Sequence, residues 1–484
     1  MLDDKIKRIG KGTRGLLRRL RGYLDRALLS LCVFQAWIFL VFHSSRIIPV
    51  GKVSFNLIYV VTLAFAVLTL LTFGLISYRR KGRIYMLIFA AFAASASMLC
   101  ICFLSLSITG FAIGAAFLGI STGIFISFVG KILSSVNFQA ATHQVFLSFA
   151  FAAAIYFLVQ ALSIPFDAIL IVLLPFALTA IILSSAIVAR RRPHVPSPHS
   201  VTPAQTLAQD KVSELLRTRP IMAFIGSVSI LGMAFGFNLT GISSYDTETF
   251  RFANYWAVLL TAIAAIAYFT ISHSPKHSFS FERYFAPVMP IIILGLLLFP
   301  YSPVIANVFA ITGFQLADMS FWVVFAWVAS HPGMPQRAFC VGKGSMYLGM
   351  LIGSAAMGAT LTGSNGGTLQ VTISSIVTYL LVLAVVFIFN NSKVNLAIKS
   401  ASRQSDLEHI SRSIELRCDE LGQKYGLTLR EKELCAYLAQ GRNLPYIEKK
   451  MYISHGTANV HRDHIYAKLG IHSRQELVDF FFEP

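Results

Sequence analysis

Residues 427–481 read LTLREKELCAYLAQGRNLPYIEKKMYISHGTANVHRDHIYAKLGIHSRQELVDFF. This stretch is polar, and caps divide it into four short helices. Thr428-Leu-Arg-Glu431 is a capping box, in which the Thr hydroxyl and the Glu carboxylate satisfy each other's backbone N–H groups. Leu434, Leu438 and Ala439 then share a face, and Gly441 stops the helix. A second helix is expected from Leu444 to Met451, with Pro445 tolerated in its first turn. The third opens at Ser454, an N-cap residue, carries Ala458, Ile465 and Leu469 on its inner stripe, and ends at Gly470. Ser473-Arg-Gln-Glu476 is a second capping box and opens the fourth.

A turn of about three residues between helices two and three is the spacing of a helix-turn-helix. Gly456, Asn459, Val460 and Asp463 fall at i, i+3, i+4 and i+7, opposite the apolar stripe. A major groove admits one α-helix, so this face is the one that would meet base edges. His461, Arg462 and Lys468 are placed to meet phosphates.

Five short motifs occur in order: Leu427-Thr428-x-Arg430-Glu431, Ala439-x-Gly441, Ile453-Ser454-x-x-Thr457, His461-Arg462-x-x-Ile465-Tyr466-x-Lys468-Leu469-Gly470, and Arg474-x-Glu476-Leu477. Together they resemble the LuxR-type (FixJ/NarL-like) helix-turn-helix. The resemblance implies a transcription-factor output, generally dimeric, with the fourth helix at the dimer contact. It implies base reading by Asn459, Val460 and Asp463, and DNA-backbone contact by Thr457, His461 and Lys468. Asn459 and Asp463 stand where the family often has Lys. An Asp there repels phosphate unless it accepts from a cytosine amino group. Glu448 stands where the family usually has a small Ala, and Ala458 where it usually has Val.

The rest of the chain has a different character. Of 484 residues 55% are hydrophobic and only 13% charged, a membrane composition. The net charge of +19 resembles a nucleic-acid signal, but residues 393–484 hold 14 Lys/Arg against 12 Asp/Glu. The excess belongs to the membrane part, where Lys and Arg mark cytoplasmic loops. Tail affinity for phosphate must then come from local placement or dimerisation.

Twelve apolar segments are long enough to span a bilayer core. They are Ala27–Ile47, Phe55–Ser77, Ile84–Leu106, Thr109–Gly130, His143–Ser163, Ala168–Ala189, Ile221–Gly241, Phe252–Ser272, Tyr284–Phe299, Val304–Ala329, Ala338–Leu361 and Thr368–Phe389. The ninth is short and contains Pro287 and Pro290. Alternate loops carry Arg79-Arg80-Lys81-Gly82-Arg83, Lys131, Arg190-Arg191-Arg192, Lys276 with Arg283, Arg337, and Lys393 with Lys399. The opposite loops hold only Arg46, Lys52 and Arg251. This asymmetry puts both termini in the cytoplasm of a multi-pass protein of the cytoplasmic (inner) membrane. An odd span count would place the helix-turn-helix on the side away from DNA.

The expected fold class is therefore all-α, with about twelve transmembrane helices and a C-terminal four-helix helix-turn-helix domain. The domains are a basic amphipathic segment (1–26), a first six-helix half (27–189), a cytoplasmic linker (190–220), a second half (221–389), a linker helix (390–426) and the DNA-binding domain (427–484). Six plus six helices with a long central loop resemble the major facilitator architecture, by count and layout alone. Residues 1–26 read as a cytoplasmic helix on anionic lipid or as a nucleic-acid arm. Leu407, Ile410, Ile414 and Leu421 fit a/d spacing, so residues 390–426 read as a short coiled coil pairing two tails or as a plain amphipathic tether.

Asp318 lies about midway along the tenth span, and an intramembrane carboxylate is by default a functional hypothesis. It suits a cationic ligand group or a proton, or is held structurally by a neighbouring helix. Gln315 and Trp322 flank it. Asn238, like Gln35, Gln139, His143 and Gln144, is a weaker ligand-sensing candidate and reads first as an interhelical polar contact. Gly110-x-x-x-Gly114, Gly119-x-x-x-Gly123 and Gly349-x-x-x-Gly353 read as close helix packing. The six cysteines are scattered through spans and tail, with no disulfide framework and no metal spacing. No nucleophile–base pair or phosphate loop presents itself, so no enzyme and no cofactor is expected. The reading is a membrane-anchored one-component regulator whose membrane domain senses a small molecule or a membrane state, with promoter DNA, a small-molecule ligand, membrane lipid and a second copy as partners. A transporter with a regulatory tail is the alternative.

Overall fold

The computed structural model describes residues 26–43, 54–75, 80–103, 108–136, 138–162, 166–191, 219–243, 247–273, 284–285, 287–299, 301–330, 337–362, 372–383, 414 and 417–477. Residues 1–25, most of the 190–220 linker, the first part of the 390–426 linker, including Leu407 and Ile410, and residues 478–484 lie outside them. The described residues form helices and turns, with no strand among them. The chain divides into two compact units, Met1–Ser400 and Ala401–Pro484.

The first unit contains α1 (Arg26–His43), α2 (Ser54–Leu75), α3 (Arg80–Phe103), α4 (Ile108–Leu133), α5 (Phe138–Gln160), α6 (Phe166–Arg191), α7 (Arg219–Ile242), α8 (Thr247–His273), α9 (Val288–Leu298), α10 (Pro303–Ser330) and α11 (Arg337–Thr362). A last apolar helix, α12, covers Thr372–Leu383. Among the described residues nine of these helices are long and apolar enough to cross a membrane. The shorter α9 and α12, and α11 with its internal lysine, fall on the remaining expected segments. The ninth is shorter than expected: Pro287 caps α9, which runs only 11 residues.

Away from its end turns a helix satisfies its backbone N–H and C=O groups internally, which is why an apolar solvent selects it. The outward faces are apolar too: Leu68, Phe92, Leu158, Phe252 and Ile263 are all more than half exposed, as lipid-facing residues must be. α10 is instead buried along most of its length and forms the middle of the bundle.

The packing repeats. In each six-helix half the first helix lies along the fifth (α1 on α5, α7 on α11), the second along the fourth (α2 on α4, α8 on α10), and the third along the fourth (α3 on α4, α9 on α10). Between halves, the second helix of each lies against the fifth of the other, α2 on α11 and α5 on α8. A two-fold relation between halves gives this exchange.

The closest approach is between α7 and α11. A Cβ on Gly349 would lie 1.8 Å from the Ser229 carbonyl oxygen, and one on Gly353 would lie 2.0 Å from that of Met233. Reciprocally, Gly232 and Gly236 sit 2.1 Å from the carbonyl oxygens of Met346 and Met350 by the same measure. Without a solvent to drive them together, membrane helices associate by such backbone proximity. Gly119 and Gly123 seat α4 on α2 in the same way, with Thr62 O only 2.3 Å from a Cβ at Gly119. Gly114 meets only Ile101, at 3.7 Å, so that part of the Gly110 pattern is not a close seam.

The second unit has its own core. Leu434 and Leu438 from α13 (Leu429–Ala439), Ile447 and Met451 from α14 (Leu444–Met451), and Ile465 and Leu469 from α15 (His455–Leu469) meet there. Ile414, Cys418 and Leu421, from the helical stretch before α13, complete it. Ile414 and Leu421, two of the four a/d positions in residues 390–426, are 3% and 4% exposed inside this core; Leu407 and Ile410, the other two, lie outside the described residues.

Gly349→Ala is expected to force α7 and α11 apart and cost about 3 kcal/mol. Gly226→Ala, where a Cβ meets nothing within 4 Å, is expected to be neutral. Thermal unfolding of the two purified variants in detergent checks the difference.

Candidate functional site in each unit

In the membrane unit α10 presents Gln315, Asp318 and Trp322 at i, i+3 and i+7, one side of a helix. α11 brings Lys343 and Tyr347 to the same place. The Lys343 ammonium donates to Asp318 Oδ1, and the Trp322 indole Nε1–H donates to Asp318 Oδ2 at 3.0 Å. Lys343 Nζ also stands 4.3 Å from the Trp322 ring centre. One indole therefore holds both charges, the anion by its N–H and the cation by its negative face. The side chains of Lys343 and Asp318 are 1% and 8% exposed. Burying either charge alone would cost several kcal/mol, so each is tolerable there only through the other.

Sequence reading found Asp318 and missed Lys343. The signal was present: a basic residue inside the expected span Ala338–Leu361 is as costly in hydrocarbon as the acidic residue in the preceding one.

A cavity of about 50 Å³ opens beside the pair. It is lined by Phe34, Gln35 and His43 of α1 and Tyr59 of α2 from the first half, and by Phe235 of α7 and the α10 and α11 residues from the second. That volume holds a few waters. Gln35 Nε2 donates to Gln315 Oε1 at 3.3 Å, a polar tie between halves. Phe235 and Phe314 stack at 3.9 Å between ring centres. His43 Nδ1–H donates to Asn254 Oδ1 at 3.0 Å. Asp318, Gln315 and Trp322 are thus brought together, and Asn238 is not. Its Nδ2 donates to Ala234 O at 3.0 Å on its own helix, and its neighbours Phe235 and Leu239 line the cavity instead.

In the second unit, Asn443 caps α14 by accepting from the Tyr446 N–H at 3.2 Å. The helix ends at Tyr452, in the left-handed region at φ 55°. Ser454 then caps α15 by accepting from the Thr457 N–H at 3.2 Å. Gly470, at φ 68°, terminates α15, a conformation that costs glycine nothing. The expected caps are present, with one difference at the last. Glu476 Oε2 accepts from the His472 N–H at 2.9 Å, one residue earlier than a capping box requires.

α15 buries Ala458, Ile465 and Leu469 and turns Gly456, Thr457, Val460 and Asp463 outward, with Asn459, His461 and Arg462 part-exposed. Val460 is 51% exposed, an apolar side chain on an otherwise polar face. Asn459 Nδ2 donates to His455 O at 3.0 Å. Arg462 holds Asp463 Oδ1 through Nε at 2.9 Å and Nη2 at 2.8 Å, so the carboxylate does not face solvent as a bare charge. Glu448 does not crowd α15: it turns aside and meets His455 Nδ1 at 2.6 Å, while Ala458 is fully buried.

Lys468 is engaged within the unit. Its Nζ donates to Gly426 O at 3.0 Å and to Glu431 Oε2 at 2.7 Å. Glu431 is 3% exposed and also accepts from the Thr428 N–H at 2.7 Å. Burial by itself would raise the Glu431 pKa; the bonds from Lys468 and Thr428 outweigh it and hold the carboxyl below its ordinary value.

The family of bacterial regulatory proteins described as the luxR family matches residues 426–481. The C-terminal unit is a LuxR-type helix-turn-helix domain. No curated protein matches the chain. The membrane unit is similar in fold to a bacterial homologue of the iron transporter ferroportin, in outward-facing state with soaked iron. That match has a TM-score of 0.51 and 14% identity over 75% of this chain and 98% of that one. A second structure of such a homologue, outward-facing, matches at 0.50 and 13% identity over 76% and 98%. A Major Facilitator Superfamily transporter, FucP, in the outward conformation, gives 0.45 and 14% identity over 77% and 99%, too low to carry weight. The protein is a LuxR-type DNA-binding domain fused to a multi-pass membrane domain of transporter-like fold.

Two outcomes follow from the two sites. Asp318→Asn is expected to destabilise the membrane unit by about 3 kcal/mol, and adding Lys343→Met to recover most of that, because the pair fails worse when halved than when replaced; unfolding in detergent of the single and double variants checks it. The Glu431 contribution is complete above the ordinary glutamate range and is lost as pH falls through the lowered folded value. Glu431→Gln is expected to cost about 2 kcal/mol at neutral pH and to flatten the acid limb of the unfolding profile.

Proposed function

We propose that this protein is a membrane-anchored one-component transcriptional regulator. Its LuxR-type domain binds promoter DNA at the cytoplasmic face of the inner membrane. Its membrane domain responds to a small molecule. The observation that carries the reading is the fusion itself: a helix-turn-helix with an exposed α15 face, in one chain with a membrane unit that has nine apolar helices of spanning length among its described residues. The loop charges support cytoplasmic termini, which puts the recognition helix on the side where DNA is.

Asn459, Val460 and Asp463 read bases, with Arg462 setting the Asp463 carboxylate. Thr457 and His461 lie at the DNA backbone. Lys468 acts chiefly by holding Glu431 and the Gly426 carbonyl, which fixes α15 on α13. Dimerisation, typical of the family, falls to the last helix and to linker residues ahead of Ile414, since Ile414 and Leu421 are spent in the core. Ligand shifts the tail only if it binds two membrane conformations unequally. The Asp318–Lys343 cavity, lined from both halves, is where such a preference arises.

Chromosome occupancy of the full-length protein in its own cells tests the reading, compared with Asn459→Ala plus Val460→Ala. Both residues are surface positions of α15, so the domain stays folded. Discrete peaks lost in the variant are expected. Persistent absence of peaks across growth conditions, with the protein verified in the membrane, overturns it. A transporter with a regulatory tail is the second reading, favoured by the fold likeness to a transporter homologue; uptake by reconstituted protein distinguishes it.

A further inference from the structure

Resting on the reading of the membrane domain as a ligand sensor, we infer that the cavity beside Asp318 and Lys343 takes a small zwitterion with an aromatic or apolar body. The argument is one of charge pairing. Asp318 has both oxygens engaged, one by Lys343 and one by the Trp322 indole N–H. Lys343 donates to Asp318 and covers the Trp322 ring, and its side chain is 1% exposed. A carboxylate that enters and takes Lys343 leaves Asp318 buried without its counter-charge. A cation that takes Asp318 strands Lys343. Each of these costs several kcal/mol, as breaking a buried ion pair does. A zwitterion strands neither, because its carboxylate faces Lys343, its ammonium faces Asp318, and the net charge of the cavity is unchanged.

The remaining lining fits the body of such a molecule. Phe34, Phe235 and Phe314 supply rings, and the face of Trp322, now occupied by Lys343, accepts an ammonium equally well. At about 50 Å³ the cavity holds a few waters, so the ligand must displace something to enter. The Gln35–Gln315 bond, long at 3.3 Å, ties the halves at this point. Insertion into the ion pair therefore loosens α1 from α10, which gives the ligand unequal affinity for two arrangements of the halves.

The test uses full-length protein in lipid nanodiscs and three probes of matched body: phenylalanine, 3-phenylpropanoate and phenethylamine. Phenylalanine at saturating concentration is expected to raise the unfolding midpoint by roughly 2 °C or more, and the two singly charged probes to leave it unchanged. Variants then exchange the preference. Asp318→Asn leaves Lys343 unpaired and is expected to gain response to 3-phenylpropanoate; Lys343→Met leaves Asp318 unpaired and is expected to gain response to phenethylamine. Both are expected to lose at least tenfold in phenylalanine affinity. If these variants fail to fold, the wild-type comparison still decides. Stabilisation of the wild type by a singly charged probe and not by phenylalanine overturns the zwitterion assignment and leaves the cavity a ligand site. No shift with any of the three overturns the inference, and the occupancy experiment continues to test the regulator reading separately.

Discussion

Two opposite charges inside an apolar bundle set the terms for the membrane unit. Asp318 on α10 and Lys343 on α11 are each too costly to bury alone, and Trp322 lies against both. The pair fixes the relative rotation of α10 and α11, since either helix turned by one residue would aim its charge at hydrocarbon. α10 in turn packs on α8 and α9, and α11 on α7 and α2. The pair thus ties the facing of α10 to that of α11. Hydrophobic packing supplies no such register, because lipid tails are as apolar as the helix faces that meet them.

Glycine supplies the complementary device. Gly232, Gly236, Gly349 and Gly353 bring the α7 and α11 backbones to a distance no side chain permits, and Gly119 and Gly123 do the same for α4 on α2. Close seams make rigid helix pairs. Gln35–Gln315, His43–Asn254, His143–Ser272 and Ser243–Asn56, at 3.3, 3.0, 3.1 and 2.7 Å, are hydrogen bonds between elements of opposite halves among the described residues. Rigid backbone seams joined across the halves by individual hydrogen bonds suit two discrete arrangements rather than continuous deformation.

The helix-turn-helix shows how a family pattern survives substitution. Glu448, in a position where a small residue is usual, finds His455 instead of pressing on α15. Asp463, a negative charge on a DNA-facing helix, is neutralised by its neighbour Arg462. Lys468 serves the fold through its bonds to Glu431 and the Gly426 carbonyl. On the outward face of α15, Thr457, Val460 and Asp463 are exposed and Asn459 is part-exposed.

The sequence by itself determined the elements and the DNA-binding unit. Caps at Thr428, Ser454 and Gly470, apolar runs of membrane-spanning length, and five ordered motifs are local, and local chemistry is legible one residue at a time. It also pointed to Asp318, because one charge in an apolar run is visible without a neighbour. Only the tertiary structure decided that Lys343 is its partner, that Trp322 joins them, that Asn238 stands apart from the cavity, and that Ile414 and Leu421 belong to the tail's own core. Those facts depend on which faces of helices distant in sequence meet. Period and hydropathy state that a face is apolar, and they are silent on what lies against it.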